Sequence, residues 1–281
     1  MQSSKLFWIA QKFLGTVLGT YIILCIVLFF FQTRFIFFPN RNLYTVPISF
    51  KLPSQEVWIP VKTASGKIER VHGWWIQNPN PKAGTILHFH GNGGGMARVD
   101  QLYKLGFSIL LVSYRGYAQS EGNFPSEAQI YEDAEAAWNY LTNDKRIPAN
   151  QIVIYGLSLG GAVAIDLAVK HPEAKALIVQ STFTSMNEMG RRNSLFKFFP
   201  VDLILTQRFN SIEKIKKLKI PAFFIHGKMD SLVPFSMAQA LYEATPTEKK
   251  IVFIPDGEHN DVNLSPDHLS AIAEFIKRIQ N

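Results

Sequence analysis

Gly156-Leu157-Ser158-Leu159-Gly160 stands between Gln151-Ile152-Val153-Ile154-Tyr155 and Gly161-Ala162-Val163-Ala164-Ile165-Asp166-Leu167-Ala168-Val169. The apolar run before it reads as a buried strand, and the small-residue run after it reads as a helix. A serine on so sharp a strand-to-helix turn is held in a strained, exposed conformation. The glycines on either side are required because a Cβ there would strike the neighbouring strand or helix. The helix that follows directs its free N–H groups and positive dipole end at the serine. This one turn therefore predicts a nucleophile, a place for negative charge, and a strand–turn–helix unit of an α/β fold.

The same rhythm extends along the chain. Strands are predicted at residues 56–60, 71–77, 85–90, 108–114, 152–155, 176–180, 222–226 and 250–254. Most of the later ones are continuous β-rich runs, as in parallel strands covered on both faces, and 71–77 fits as an antiparallel hairpin partner of 56–60. Helices fall between them. The clearest opens at Ser126, with Gln129 as its capping-box partner, and keeps Ile130, Ala134, Ala137, Trp138 and Leu141 on one face. The last starts near Pro266. Strands alternating with helices predict one α/β domain with a mostly parallel sheet and helices on both faces.

Two segments break the rhythm. Residues 13–33 contain no charged side chain and follow Lys5 and Lys12. As a helix they span about 30 Å, the thickness of a hydrocarbon core. No small-residue cleavage pattern follows, only the bulky Phe31-Gln32-Thr33-Arg34-Phe35-Ile36-Phe37-Phe38, so an uncleaved signal anchor is expected rather than a buried core helix. Lys5, Lys12 and the α-amino group on one side, against Arg34 and Arg41 on the other, favour a cytosolic N-terminus and a main domain in the periplasm or lumen. The predicted organisation is a membrane anchor at residues 1–39, with the transmembrane helix at about 13–33, and one catalytic domain over 40–281. The second segment, residues 185–219, is longer than one crossover needs. It is read as a small lid over the carboxyl ends of the strands, the alternative being an ordinary long connection. Within it, residues 193–199 and 212–220 mix cations with large apolar groups, as a solvated face does and as a membrane-contacting lid would.

Bulk properties exclude several classes. The formal charge of +7 is spread from Lys5 to the run 214–219, with no basic block interleaved with aromatics. That predicts no nucleic-acid partner and fits attraction to an anionic membrane surface. The single cysteine, Cys25, excludes an intrachain disulfide.

Serine hydroxyl attacks only when a base takes its proton and an acid holds that base in the right tautomer. On this architecture the order is Ser, then Asp or Glu, then His. Asp230 follows the strand 222–226, and His259 follows the strand 250–254. Ser158 is therefore the expected nucleophile, His259 the general base and then acid, and Asp230 the orienting carboxylate. Asp256 and Asp261 are rival acids, but Asp261 is two residues from His259 and would struggle to reach the imidazole from so short a loop. The glycine-rich stretch His88-Phe89-His90-Gly91-Asn92-Gly93-Gly94-Gly95 closes another strand. The oxyanion donors are expected to be the backbone N–H groups of Leu159 and Asn92. His88 and His90 share a strand face without a third ligand cluster, and the glycines lack the spacing of a phosphate loop. No metal or cofactor is expected. Arg115 reads as a structural ion-pair partner.

These residues resemble the α/β-hydrolase superfamily, and more narrowly its membrane-anchored Bem46-like group, with the mammalian α/β-hydrolase domain proteins 12, 13 and 17. The resemblance rests on His90-Gly91-Asn92, Ser113-Tyr114-Arg115-Gly116-Tyr117, Ser120-Glu121-Gly122, Pro125-Ser126-Glu127, Gly156 through Gly161, Phe183-Thr184-Ser185, His226-Gly227, Asp230, Val233-Pro234 and His259-Asn260-Asp261, in series from about Asn40 to the C-terminus. It implies a serine hydrolase of carboxylic esters or thioesters, often lipid-derived, with Ser158, Asp230 and His259 as triad and Asn92 with Leu159 as oxyanion hole. A small-molecule or lipid acyl substrate and the membrane are the expected partners. The oligomeric state is left open. Two other readings stay open: a non-catalytic membrane-bound binding module on the same fold, and an acyltransferase or perhydrolase using the same three residues.

Overall fold

Among the described residues, eight strands form one sheet in the order β1-β2-β4-β3-β5-β6-β7-β8, in which β2 alone runs against its neighbours. They are β1 (Ser54–Lys62), β2 (Ile68–Ile76), β3 (Gly84–Phe89), β4 (Phe107–Val112), β5 (Ile152–Leu157), β6 (Ala176–Gln180), β7 (Ala222–Gly227) and β8 (Lys249–Ile254). The computed structural model describes residues 2–41, 51–63, 65–80, 84–93, 99–262 and 265–279. Gly94 and Gly95 of the glycine-rich stretch lie outside the described residues.

All eight predicted strands are present. The hairpin of β1 and β2 pairs Ser54 with Ile76 and Lys62 with Ile68. Strands β3, β4, β6 and β7 are buried along their whole length, which is why they read as unbroken apolar runs. The helices are α1 (Gln2–Ile36), α2 (Val99–Lys104), α3 (Glu127–Asn139), α4 (Leu159–Lys170), α5 (Met186–Arg192), α6 (Val201–Ile204), α7 (Ser211–Ile215), α8 (Phe235–Ala244) and α9 (Pro266–Arg278). Ile130, Ala134 and Ala137 of α3, the body of α4, and Met237 and Leu241 of α8 pack on one face of the sheet. Val99 and Leu102 of α2, with Ile272, Phe275 and Ile276 of α9, cover the other. Ser126 caps α3 by accepting the N–H of Gln129 at 3.4 Å, and its hydroxyl donates to Gln129 Oε1 at 3.1 Å. Arg115 is buried and binds Asp133 at 2.5 Å and Glu132 at 2.6 Å, so it fastens the β4 loop to α3.

Helix α1 carries its large apolar side chains on the outside for most of its length, with Phe13 71% and Ile23 61% exposed. Its C-terminal part, from Tyr21 onward, meets the rest of the chain along one side. Phe37, just beyond its end, is fully buried against Phe209, with ring centroids 6.0 Å apart. A 32-residue stretch, Lys5–Ile36, has the length and apolarity to cross a membrane.

Three histidines enter the fold uncharged. Burial, with His90 beside it, pushes His88 down to about 3. Burial lowers His90 and His268 to about 4 each. Between about pH 6.5 and 4 the unfolded chain binds these protons and the folded chain does not, so stability falls as pH drops through that window. Each group contributes a slope of about 1.4 kcal/mol per pH unit. His88 stacks on Tyr155 at 5.1 Å. His88→Phe keeps that ring contact and removes the titration. The expected result is a Tm that declines more gently on acidification than that of wild type, measured by scanning fluorimetry in detergent. Parallel declines would contradict it.

Candidate active site

The turn after β5 has the conformation its glycines anticipate. Ser158 adopts φ 53°, ψ −116°, a region that L-residues rarely occupy. Its N–H donates to Gln180 O at 2.8 Å, and its carbonyl accepts from Thr182 Oγ1 at 2.8 Å and Gly161 N at 2.9 Å. A Cβ on Gly156 would lie 2.1 Å from Gly160 O, and one on Gly160 would lie 2.2 Å from Phe89 O. The turn is thus clamped between α4 and β3 at distances only glycine permits, and the hydroxyl stands clear at the carboxyl edge of the sheet.

Two further loops arrive from β7 and β8. A Cβ on Gly227 would sit 2.0 Å from Gly257 O, so these loops pack backbone against backbone. That close approach brings Asp230 and His259 together. His259 Nδ1 donates to Asp230 Oδ2 at 2.7 Å, and His259 Nε2 lies 3.0 Å from Ser158 Oγ. The other carboxylate oxygen, Asp230 Oδ1, accepts from Val233 N at 2.7 Å and Leu232 N at 3.0 Å. Burial alone would raise the Asp230 carboxyl, but hydrogen bonds from His226, His259 and Val233 N outweigh it and hold the group well below the usual range. The imidazole of His259 therefore faces a fixed negative charge on one side and the serine hydroxyl on the other. The rival acids are elsewhere: Asp256 is exposed, and Asp261 Oδ1 accepts from Glu258 N at 2.6 Å within its own loop.

The remaining expected residues also converge. Leu159 opens α4, so its N–H has no partner within the helix. Gly91 brings the β3 loop against the turn, since a Cβ on it would lie 3.3 Å from Ser158 Cβ. Asn92 follows directly. Its side chain has a use that sequence reading did not reveal. Nδ2 donates to Ile36 O at 2.6 Å, while Oδ1 accepts from Phe38 N at 3.0 Å and Tyr117 Oη at 2.8 Å. Asn92 thereby caps the C-terminal end of α1. His226, which the sequence offers only as part of a motif, backs Asp230. It is fully buried, donates from Nε2 to Val233 O at 2.8 Å, and stands 3.1 Å from Asp230 Oδ2. His88 and His90 do not reach the site as a pair: His90 Nδ1 donates to Gly91 O at 2.7 Å, and His88 stacks inside the sheet.

Above Ser158 lies a cavity of about 540 Å³. Its floor is Ser158, Leu159 and His259, one wall is Phe183, Met186, Met189 and Ile204 from the segment after β6, and another is Leu28, Phe35 and Ile36 of α1. Among the described residues, no carboxylate and no cation lines it. Its size and lining suit an apolar chain with a polar group at one end.

Comparisons with known proteins show the family and the fold. The family model of serine aminopeptidase S33, Hydrolase_4, matches residues 80–204. The chain is 31% identical over 261 residues to the α/β-hydrolase domain-containing protein WAV2 of Arabidopsis thaliana, covering 84% of this chain and 83% of that one. It is 31% identical over 248 residues to protein bem46 of Schizosaccharomyces pombe, covering 85% and 82%. Among solved structures, the Pyrococcus furiosus esterase Pf2001 superposes with a TM-score of 0.70 at 22% identity, over 86% of this chain and 97% of that one. Est1E of Butyrivibrio proteoclasticus, solved with ferulic acid bound, has a TM-score of 0.63 at 19% identity, over 80% and 97%.

Proposed function

Because the chain belongs to the α/β-hydrolase family, with bem46 and WAV2 among its relatives, we propose that it is a membrane-anchored serine hydrolase cleaving carboxylic ester or thioester bonds through an acyl-enzyme. The observation that carries this is the unbroken run of contacts from Asp230 through His259 to Ser158, at 2.7 and 3.0 Å. Ser158 Oγ attacks the acyl carbon while His259 Nε2 takes its proton. The carbonyl oxygen becomes an oxyanion beside the N–H groups of Leu159 and Asn92, and His259 returns the proton to the departing alcohol or thiol. Water, deprotonated by the same imidazole, then releases the acid. Asp230 keeps Nδ1 protonated throughout, so that Nε2 is free to accept.

The matching family model bears an aminopeptidase description, but the cavity favours an acyl chain. A peptide's free α-ammonium needs a partner where it is desolvated, and no carboxylate faces the cavity among its described residues. Its apolar walls suit a lipid-derived acyl group. α1 supports the anchoring by its length and exposed apolar surface.

The test is a fluorophosphonate probe on the purified full-length chain. Labelling of wild type and its loss in Ser158→Ala is the expected outcome, with hydrolysis of acyl esters and none of aminoacyl anilides. An unlabelled wild type, or equal labelling of the variant, would sink the proposal. Cleavage of the anilides alone would leave the nucleophile and overturn the substrate class.

A further inference from the structure

The segment after β6 covers Ser158 and also runs along α1. Tyr21 stacks on Phe199 with ring centroids 5.6 Å apart, and its hydroxyl donates to Phe198 O at 3.0 Å. Nearer the end of α1, Gln32 Oε1 accepts from Thr206 N at 2.7 Å, and Phe35 meets Phe196 edge-on at 6.0 Å. From Tyr21 to Phe35 these contacts extend about 21 Å along the helix. The same segment exposes large apolar groups: Leu195 by 72%, Phe198 by 71% and Leu203 by 81%. They continue the exposed apolar surface of α1, where Phe30 is 72% exposed. Arg192 and Lys197, both exposed, stand among them. Exposed aromatic and aliphatic groups interleaved with cations are the composition of an interfacial element. At 35 residues, α1 is about 52 Å long and exceeds a hydrocarbon core by about 20 Å. With the charge-free residues 13–33 in the core, the surplus lies on the N-terminal side, and the last turn of α1 stands at the membrane boundary with the segment beside it.

We propose that residues 195–205 seat in the acyl–headgroup boundary of the bilayer that α1 crosses. Leu195, Phe198 and Leu203 enter the hydrocarbon, and Arg192 and Lys197 reach the lipid phosphates. The cavity over Ser158, walled by α1 and this segment, then opens sideways into lipid, and acyl chains reach the serine without crossing water. The seat rests on α1 as a membrane helix, and the substrate route rests in addition on the hydrolase reading above.

The test uses the full-length chain with Cys25, its sole cysteine, changed to serine. A single cysteine placed by Phe198→Cys, Leu203→Cys or Glu248→Cys carries a bimane fluorophore in vesicles of phosphatidylcholine and phosphatidylglycerol. Glu248 is exposed at the amino end of β8, opposite the site. Acyl-brominated lipids are expected to quench the first two labels about twofold or more and to leave the third unchanged. Two outcomes overturn the seat. One is labels at the first two positions that escape quenching and react with an impermeant maleimide as readily as the third. The other is unquenched labels whose shielding disappears on dilution, which would mean a second copy of the chain covers the patch. A companion variant, Phe198→Asp with Leu203→Asp, should lower the ratio of vesicle-borne long-chain ester cleavage to soluble butyrate cleavage about tenfold. An unchanged ratio overturns the lipid route. Quenching needs no turnover. An inactive chain that quenches therefore sinks the hydrolase reading alone, and an active chain that does not quench sinks the seat alone.

Discussion

Ser158→Ala is expected to lower kcat/KM on activated esters by about ten-thousandfold or more, and Ser158→Gly to do the same while making the protein more stable. The loss follows from chemistry: without the Oγ, no acyl-enzyme forms, and His259 Nε2 has no hydroxyl 3.0 Å away to activate. The gain follows from backbone conformation. Ser158 sits at φ 53°, ψ −116°, a strain worth about 1–3 kcal/mol that a residue without Cβ does not bear. Glycine's larger unfolded-state entropy offsets about 1 kcal/mol of that. A net gain of about 1 kcal/mol raises the Tm by about 2–4 °C in a domain of this size. Alanine keeps the Cβ and should leave the Tm near that of wild type. Kinetics on a p-nitrophenyl ester and thermal melts of the three proteins decide it. An active glycine variant would remove Ser158 from the reaction, and a less stable one would refute the strain.

Asp230→Asn is expected to lower kcat by about a thousandfold to ten-thousandfold with a much smaller change in KM. The carboxylate now accepts the Nδ1–H of His259 at 2.7 Å, which leaves Nε2 a lone pair. An amide NH2 in that position donates instead. Nδ1 must then accept, the proton moves to Nε2, and the imidazole can no longer take a proton from Ser158. The amide oxygen can still accept from Leu232 N and Val233 N, which keeps the loop in place. Steady-state kinetics read the effect. A rise in KM at unchanged kcat would mean that Asp230 shapes the pocket and takes no part in orienting the imidazole.

The sheet was readable because its strands are buried on both faces and so lack polar interruptions. Where charged residues alternate, the boundary slipped: β2 begins at Ile68, ahead of the expected 71, because Glu69 and Arg70 pair across to Val61 and Pro60 although both are charged, Glu69 being buried beside Arg115 and Arg70 exposed beside Glu121. The candidate site's principal positions were legible for a partly local reason. Gly156 is dictated by Gly160 O inside one strand–turn–helix unit, Gly160 and Gly161 by the neighbouring strand ends at Phe89 and Thr182, and the order of the later Asp and His follows from strand order. Contacts without a local signature were not readable. Nothing near Asn92 in sequence announces that its amide will grip Ile36 O, 56 residues earlier. Nothing in the helices of three to seven residues after β6 has enough period to show that they lean on α1.

That grip has a mechanical meaning. The amide that holds the last carbonyl of α1 belongs to the residue whose backbone N–H is assigned to the oxyanion, and no flexible tether lies between them. On the proposed placement of α1 in a bilayer, a change in how steeply it inclines would act directly on the loop bearing that donor. Excising the first forty residues to obtain a water-soluble catalyst would remove a cavity wall and leave the Asn92 amide without its two helix-end partners. The resulting fragment would differ in kind from the parent.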